Sequence, residues 1–146
     1  MPKTSTAGYG EQASTLVVQY ESITFEDVHR DVLHLLPAPP ARIVDVGAGT
    51  GRDAAALARR GHQVVAVEPT AELREAGRKL HADVDIDWLD DTLPALARLR
   101  ERPTRFDVIM LTAVWMHLDA DERAQAMGAV DAMLAGHGLV YLSLRH

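Results

Sequence analysis

Residues Ala41 to Ala58 read A-R-I-V-D-V-G-A-G-T-G-R-D-A-A-A-L-A. A short apolar run enters a glycine-rich turn, and an alanine-rich stretch leaves it. That order predicts strand, tight turn and helix, a setting in which glycines let backbone approach a ligand closely. The spacing discriminates between ligand classes. Gly47, Gly49 and Gly51 fall as G-x-G-x-G, and Asp45 precedes the first glycine by two residues. A dinucleotide fingerprint would read G-x-G-x-x-G, and a phosphate-binding Walker loop would end in G-K-[ST]; neither is present. A tight strand–helix turn with no ligand is the competing reading of this loop taken alone.

Downstream, apolar strands alternate with amphipathic helices. The pattern predicts a strand over Ile43 to Val46, a helix over Arg52 to Arg60 closed by Gly61, and a strand over Gln63 to Val67. Thr70 can cap a helix running to Leu80, with Leu73, Ala76 and Leu80 on its inner face. A weaker strand is expected over Val84 to Trp88, then a short helix over Leu93 to Arg100 with Pro94 in its first turn. Phe106 to Thr112 is strongly apolar and strand-like. Asp119 and Glu122 have the spacing of a capping box, opening a helix whose inner face is Met127, Val130 and Leu134 and which Gly136 ends. Gly138 to Leu144 is a fifth strand. Alternation of this kind implies βαβ units, a doubly wound, mostly parallel sheet with helices on both faces, and ligands at the carboxyl ends of the strands. Before it, Thr24 can cap a helix carrying Phe25, Val28, Val32, Leu35 and Leu36, and Pro37-Ala38-Pro39-Pro40 marks a boundary. We therefore expect a tail and cap helices over residues 1–40 and a ligand-binding core over residues 41–146.

Bulk properties narrow the function classes. The chain has 146 residues, 47% of them hydrophobic and 25% charged, which suits one globular domain. A net charge of −6 argues against a generic nucleic-acid surface. Without cysteine, disulfide frameworks and thiolate metal sites are excluded. Residues 1–10 lack the basic and apolar regions of a secretory signal, and no apolar run approaches the length of a membrane span, so a cytoplasmic protein is the expectation. Heavy use of Ala and Arg hints at a GC-rich bacterial source.

Candidate ligand-contacting residues follow each strand. Asp45, at the end of the first, can balance a ligand ammonium directly or through water. Glu68 ends the second strand, and a carboxylate there suits a contact to ribose hydroxyls, although it could equally be a solvated strand-end group. After the third strand, in W-L-D-D-T-L-P, the Asp90 side chain could accept from an adenine amino group and the Asp91 backbone could donate to the ring. Helix capping by Asp91 or Thr92 is compatible with that role. After the fourth strand, Trp115 and Met116 either line a pocket or join the core. His117 could serve as a base near neutral pH, or simply pack in the loop. No histidine pair has metal-ligand spacing.

Taken in order, V-D-V-G-A-G-T-G-R-D, A-V-E-P, W-L-D-D-T-L-P, F-D-V-I-M-L-T-A-V-W-M-H-L and G-L-V-Y-L-S-L resemble the successive motifs of class I S-adenosylmethionine (SAM)-dependent methyltransferases. The flavour is similar to the small-molecule enzymes of ubiquinone and menaquinone biosynthesis. The resemblance implies that Asp45, Gly47, Ala48, Gly49 and Gly51 surround the methionine end of SAM. Glu68 and Pro69 would adjoin the ribose, Asp90 and Asp91 the adenine, and Ala113 the reacting end. Tyr20 or Phe25 would close over the cofactor. S-adenosylhomocysteine (SAH) would be the product. The family sheet usually continues past a fifth strand, so this chain is expected to be a piece of a longer protein or a minimal version. Its fifth-strand edge would then be open to pairing in a homodimer, and Arg145 and His146 would lie near the site mouth.

The implied activity is methyl transfer to a small-molecule acceptor. Two alternatives stand beside it: a SAM- or SAH-binding module or inactive fragment acting through protein contacts, and an NAD-dependent oxidoreductase, which the glycine spacing disfavours.

Overall fold

The structure, a computed structural model, describes residues 36–112 and 115–143. The expected cap helix with Tyr20 and Phe25, together with Ala113, Arg145 and His146, lies outside the described residues. In chain order the elements are β1 (Arg42–Val46), α1 (Arg52–Arg59), β2 (Gln63–Val67), α2 (Ala71–Leu80), β3 (Ile86–Leu89), α3 (Ala97–Arg100), β4 (Phe106–Thr112), a 3₁₀ turn (Trp115–His117), α4 (Ala120–Met133) and β5 (Leu134–Ser143). The strands form one five-stranded sheet in the order β3-β2-β1-β4-β5, and every neighbouring pair is parallel. The chain winds outward from β1 to β3, then crosses back to place β4 on the other side of β1. That reversal puts the crevice of the sheet at the carboxyl ends of β1 and β4.

The strands read as continuous apolar runs because helices cover both faces. In β1, Val44 and Val46 join the cluster with Leu96, Leu99, Val130 and Met133, under α3 and α4. Ile43 points the other way and joins Ala54, Leu57, Ala66, Val108 and Met110, under α1. Asp45 has the parity of Ile43 and pairs in register with Ala66 on β2 and Met110 on β4. A carboxylate thus sits in an otherwise apolar row, next to the crevice.

Local signals explain the helix ends. Gly61, at φ 99°, closes α1; its N–H donates to Ala58 O at 3.0 Å and the His62 N–H donates to Leu57 O at 3.2 Å. This is the paired arrangement that a left-handed residue permits. At α4 the capping box forms in full: Glu122 N–H donates to Asp119 Oδ1 at 2.8 Å, and Asp119 N–H donates to Glu122 Oε1 at 2.9 Å.

Several expectations need correction. The buried positions of α2 are Leu73 and Gly77, and Leu80 is 47% exposed. The cause is Trp88 on β3: a Cβ on Gly77 would lie 2.5 Å from Trp88 Cζ2, so the helix turns its smallest residue toward the indole. The inner face of α4 is Ala126, Ala129, Val130 and Met133, and Met127 is 46% exposed. Leu134 is already extended and begins β5, so Gly136 lies within a strand and does not end the helix. The register of β4 and β5 slips between Phe106 and Val108, which lets β5 start earlier than its apolar run suggests. The stretch Leu93 to Leu96 is not helical. Leu96 is buried with φ 48°, and α3 begins only after it.

Candidate functional site

The loop between β1 and α1 is built on three left-handed glycines, with φ 76° at Gly47, 61° at Gly49 and 86° at Gly51. Side chains are strained at such angles, and the alternation of glycine with Ala48 and Thr50 follows from it. The Gly47 and Ala48 N–H groups both donate to Val67 O at 2.9 Å, which fastens the loop to the end of β2. Gly51 is the N-cap of α1, and its carbonyl accepts the Ala55 N–H at 2.8 Å. There a Cβ would lie 2.7 Å from the Trp88 ring, so the third glycine also makes room for the indole. Gly47 and Ala48 keep exposed surface, whereas Gly49 and Gly51 are buried.

Glu68 is 4% exposed and does a structural task that the sequence did not disclose. Its Oε1 accepts the Gly49 N–H at 2.8 Å, and its Oε2 accepts the Thr70 N–H at 3.0 Å. Burial raises its pKa above the usual glutamate value, while the Thr70 and Gly49 hydrogen bonds and the Arg74 charge pull it down. The Thr70 hydroxyl also bonds to this carboxylate, which leaves one lone pair for a further donor.

Asp45 is buried, and its Oδ1 has no hydrogen-bond partner among the described residues. Burial, followed by the Asp53 charge, pushes its pKa well above the ordinary carboxylate range; Arg52 opposes this and Glu68 adds to it. Asp53, in the first turn of α1, is also buried and pairs with Arg52 Nε at 3.0 Å. Three carboxylates therefore surround the glycine loop, one with an unsatisfied buried oxygen. Such a group is costly unless something pairs with it. The arrangement fits a ligand with a cationic end near Asp45.

Beyond β3, Asp90 and Asp91 separate in role. The Asp91 carboxylate accepts the Thr92 N–H at 2.9 Å and the Leu99 N–H at 2.8 Å, so its side chain organises the turn into α3. The Asp90 side chain is half-exposed, with Oδ1 lying 3.4 Å from Arg74 Nη1. Arg74 is a residue the motif reading passed over, because its contacts depend on the fold. Pro69 is partly buried between Glu68 and Thr70. On the other side of the crevice, Trp115 packs against the core, and Arg123 lies 6.0 Å from its ring centroid. His117 is exposed on the 3₁₀ turn after β4, at the carboxyl end of the sheet. The remaining described histidines serve other ends, and buried His81 lies 3.5 Å from Arg59 Nη2 through its Nδ1. His62, at the amino end of the sheet, accepts the Ala41 N–H through Nδ1 at 3.1 Å, and His137 contacts Asp107 at 2.8 Å.

Comparison with known proteins agrees with this geometry. A family model described as a methyltransferase domain matches residues 43–138, more than half of the chain. An uncharacterized methyltransferase of Geobacillus is 27% identical over 89% of this chain and 55% of its own length. A ubiquinone biosynthesis O-methyltransferase of Xanthomonas campestris is 31% identical over 72% of this chain and 43% of its own. The chain thus spans about half the length of the curated relatives it matches. Among solved structures, a TehB-like SAM-dependent methyltransferase from Corynebacterium glutamicum superposes with a TM-score of 0.72 at 20% identity, covering 90% of this chain and 72% of that one. With the ordered motifs and the strand order, these matches show that the chain belongs to the class I SAM-dependent methyltransferase family.

Proposed function

We propose that this chain forms the SAM-binding core of a methyltransferase acting on a small-molecule acceptor. The observation that carries the reading is the unsatisfied Oδ1 of buried Asp45 beside the left-handed glycine loop. A ligand ammonium would satisfy that oxygen, and the partly exposed Gly47 and Ala48 would let an amino-acid chain lie against the backbone. Glu68 would accept a ribose hydroxyl through its remaining lone pair while still holding Gly49 and Thr70. Asp90 would accept from the adenine amino group, and the Asp91 backbone would face the ring.

When bound, SAM supplies a methyl group already activated on a sulfonium. The protein's task is then to orient the two reactants and exclude water. In this reading Asp45, the glycine loop and Glu68 fix the donor, and Trp115 bounds the acceptor side from the core. His117 accepts a proton where the acceptor must lose one. Calorimetric titration of the folded chain with SAM and SAH tests the proposal; failure of both to bind would refute it.

The edge of β5 favours a second copy as partner, because β5 pairs only with β4 among the described residues. Sedimentation velocity distinguishes a dimer from a monomer. A cytoplasmic location belongs to the same reading; no helix of the described residues is long and apolar enough to cross a membrane.

A further inference from the structure

Arg74 projects from the first turns of α2 and joins two strand ends. Its Nη1 donates to the Glu68 carbonyl at 2.8 Å and lies 3.4 Å from Asp90 Oδ1. The Arg74 side chain is 15% exposed and Asp90 is 50% exposed, so a held guanidinium faces a carboxylate that would otherwise be free to rotate in solvent. The other cation near Asp90 is less constrained. Arg98 is 65% exposed, with Nη1 4.0 Å from Asp90 Oδ2 and 3.3 Å from the Asp90 carbonyl.

We propose that Arg74 is a positioning residue that aims the Asp90 carboxylate and thereby sets the preference for a base carrying a 6-amino group. The inference rests on the SAM-binding reading above. Arg74 engages Oδ1, which leaves Oδ2 to accept from a ligand N–H. Nη1 carries two N–H groups, so it can face Asp90 Oδ1 while donating to the Glu68 carbonyl. The tie to the Glu68 carbonyl matters as well. It makes the position of Asp90 depend on the strand end that holds the ribose, so the two contacts move as one frame. A carboxylate aimed in this way attracts a 6-amino group and repels the carbonyl of a 6-oxo base. Discrimination thus comes from both a favourable and an unfavourable pairing.

The test is to titrate the chain with SAH and with S-inosylhomocysteine, which differs by a 6-oxo group. The wild type is expected to prefer SAH by about tenfold or more, the scale of one charge-assisted hydrogen bond. Arg74→Met keeps the stem but removes the guanidinium. Its SAH affinity should fall while the inosine ligand is little affected, bringing the ratio to within about threefold of unity. A purely structural Arg74 would weaken both ligands equally and leave the ratio intact, which would overturn the proposal. Equal binding of both ligands by the wild type would also overturn it. Binding of neither by the wild type would instead remove the SAM-binding reading, and the proposal with it. Should Arg74→Met fail to fold, Arg74→Gln removes the charge with a shorter polar side chain, and an unchanged ratio there would overturn the proposal.

Discussion

The Gly49 amide and the Glu68 carboxylate, 19 residues apart, are joined by a hydrogen bond of 2.8 Å. That bond couples the glycine loop to the end of β2, so one side chain shapes the loop and, in the proposed reading, is offered to a ribose. Glu68→Gln separates the two roles. The amide presents one acceptor and one donor group to two backbone donors, Gly49 N–H and Thr70 N–H. One of them must lose its partner. The variant should be less stable by about 1–3 kcal/mol in urea unfolding, the usual consequence of a buried donor left unmade. Its affinity for SAH should fall by about tenfold or more. An unchanged unfolding midpoint would show that the loop does not depend on this bond.

Asp45 makes stability depend on pH in an unusual direction for an acid. Its pKa in the fold lies above the unfolded value because of burial first and the Asp53 charge second. The folded state therefore binds more protons than the unfolded state between those two pKa values. The stabilising contribution is fully present below the unfolded pKa and is lost as pH rises through the folded one. Glu68, also raised by burial, acts in the same sense. Asp45→Asn removes the ionisation. It should flatten this part of the pH–stability profile and raise the urea midpoint at neutral pH. It should also weaken SAH, whose ammonium would lose its carboxylate. A variant profile parallel to that of the wild type would exclude Asp45 as the source.

Much of the frame was legible because its signals are local. The apolar runs at Ile43, Gln63 to Val67 and Phe106 to Thr112 could bury both faces only in a parallel sheet between helices. The capping box at Asp119 and Glu122 and the turn at Gly61 are likewise read from neighbours in sequence. The glycine loop was legible for the same reason, since G-x-G-x-G prescribes its left-handed positions. What escaped depends on partners far along the chain. The indole of Trp88 decides which face of α2 is inward. The Asp91 carboxylate bonds Leu99 N–H eight residues on, and Leu96 is held left-handed just ahead of α3. Neither the Arg74–Asp90 contact nor the Gly49–Glu68 bond has a sequence signature, because the first needs β3 beside β2 and the second needs β1 beside β2.

The cap of α4 offers a local test. Asp119→Ala removes the acceptor for the Glu122 N–H, a bond of 2.8 Å at the exposed start of the helix. It should cost about 1 kcal/mol, typical of a lost N-cap. Because the cap is outside the glycine loop, SAH affinity measured well below the unfolding midpoint should be unchanged. A matching loss of affinity would mean that α4 is coupled to the cofactor side.

Two glycines in helices should respond in opposite directions to the same substitution. In an unconstrained helix interior, alanine is favoured over glycine by about 1 kcal/mol. Gly128 in α4 meets that condition, since a Cβ there has no atom within 4 Å. Gly128→Ala should therefore stabilise the protein by about 0.5–1 kcal/mol. Gly77 in α2 does not. Its Cβ would lie 2.5 Å from Trp88 Cζ2 and 2.7 Å from the Thr50 backbone oxygen, so the indole, the helix or the glycine loop must move. The cost of such overpacking, about 1–3 kcal/mol, exceeds the helix-propensity gain over most of its range. Gly77→Ala should thus destabilise the fold, and because Thr50 is in the loop it should also weaken SAH. Urea unfolding of both variants, with calorimetric titration of each, checks the pair. Stabilisation by both substitutions would mean that Trp88 does not bear on α2.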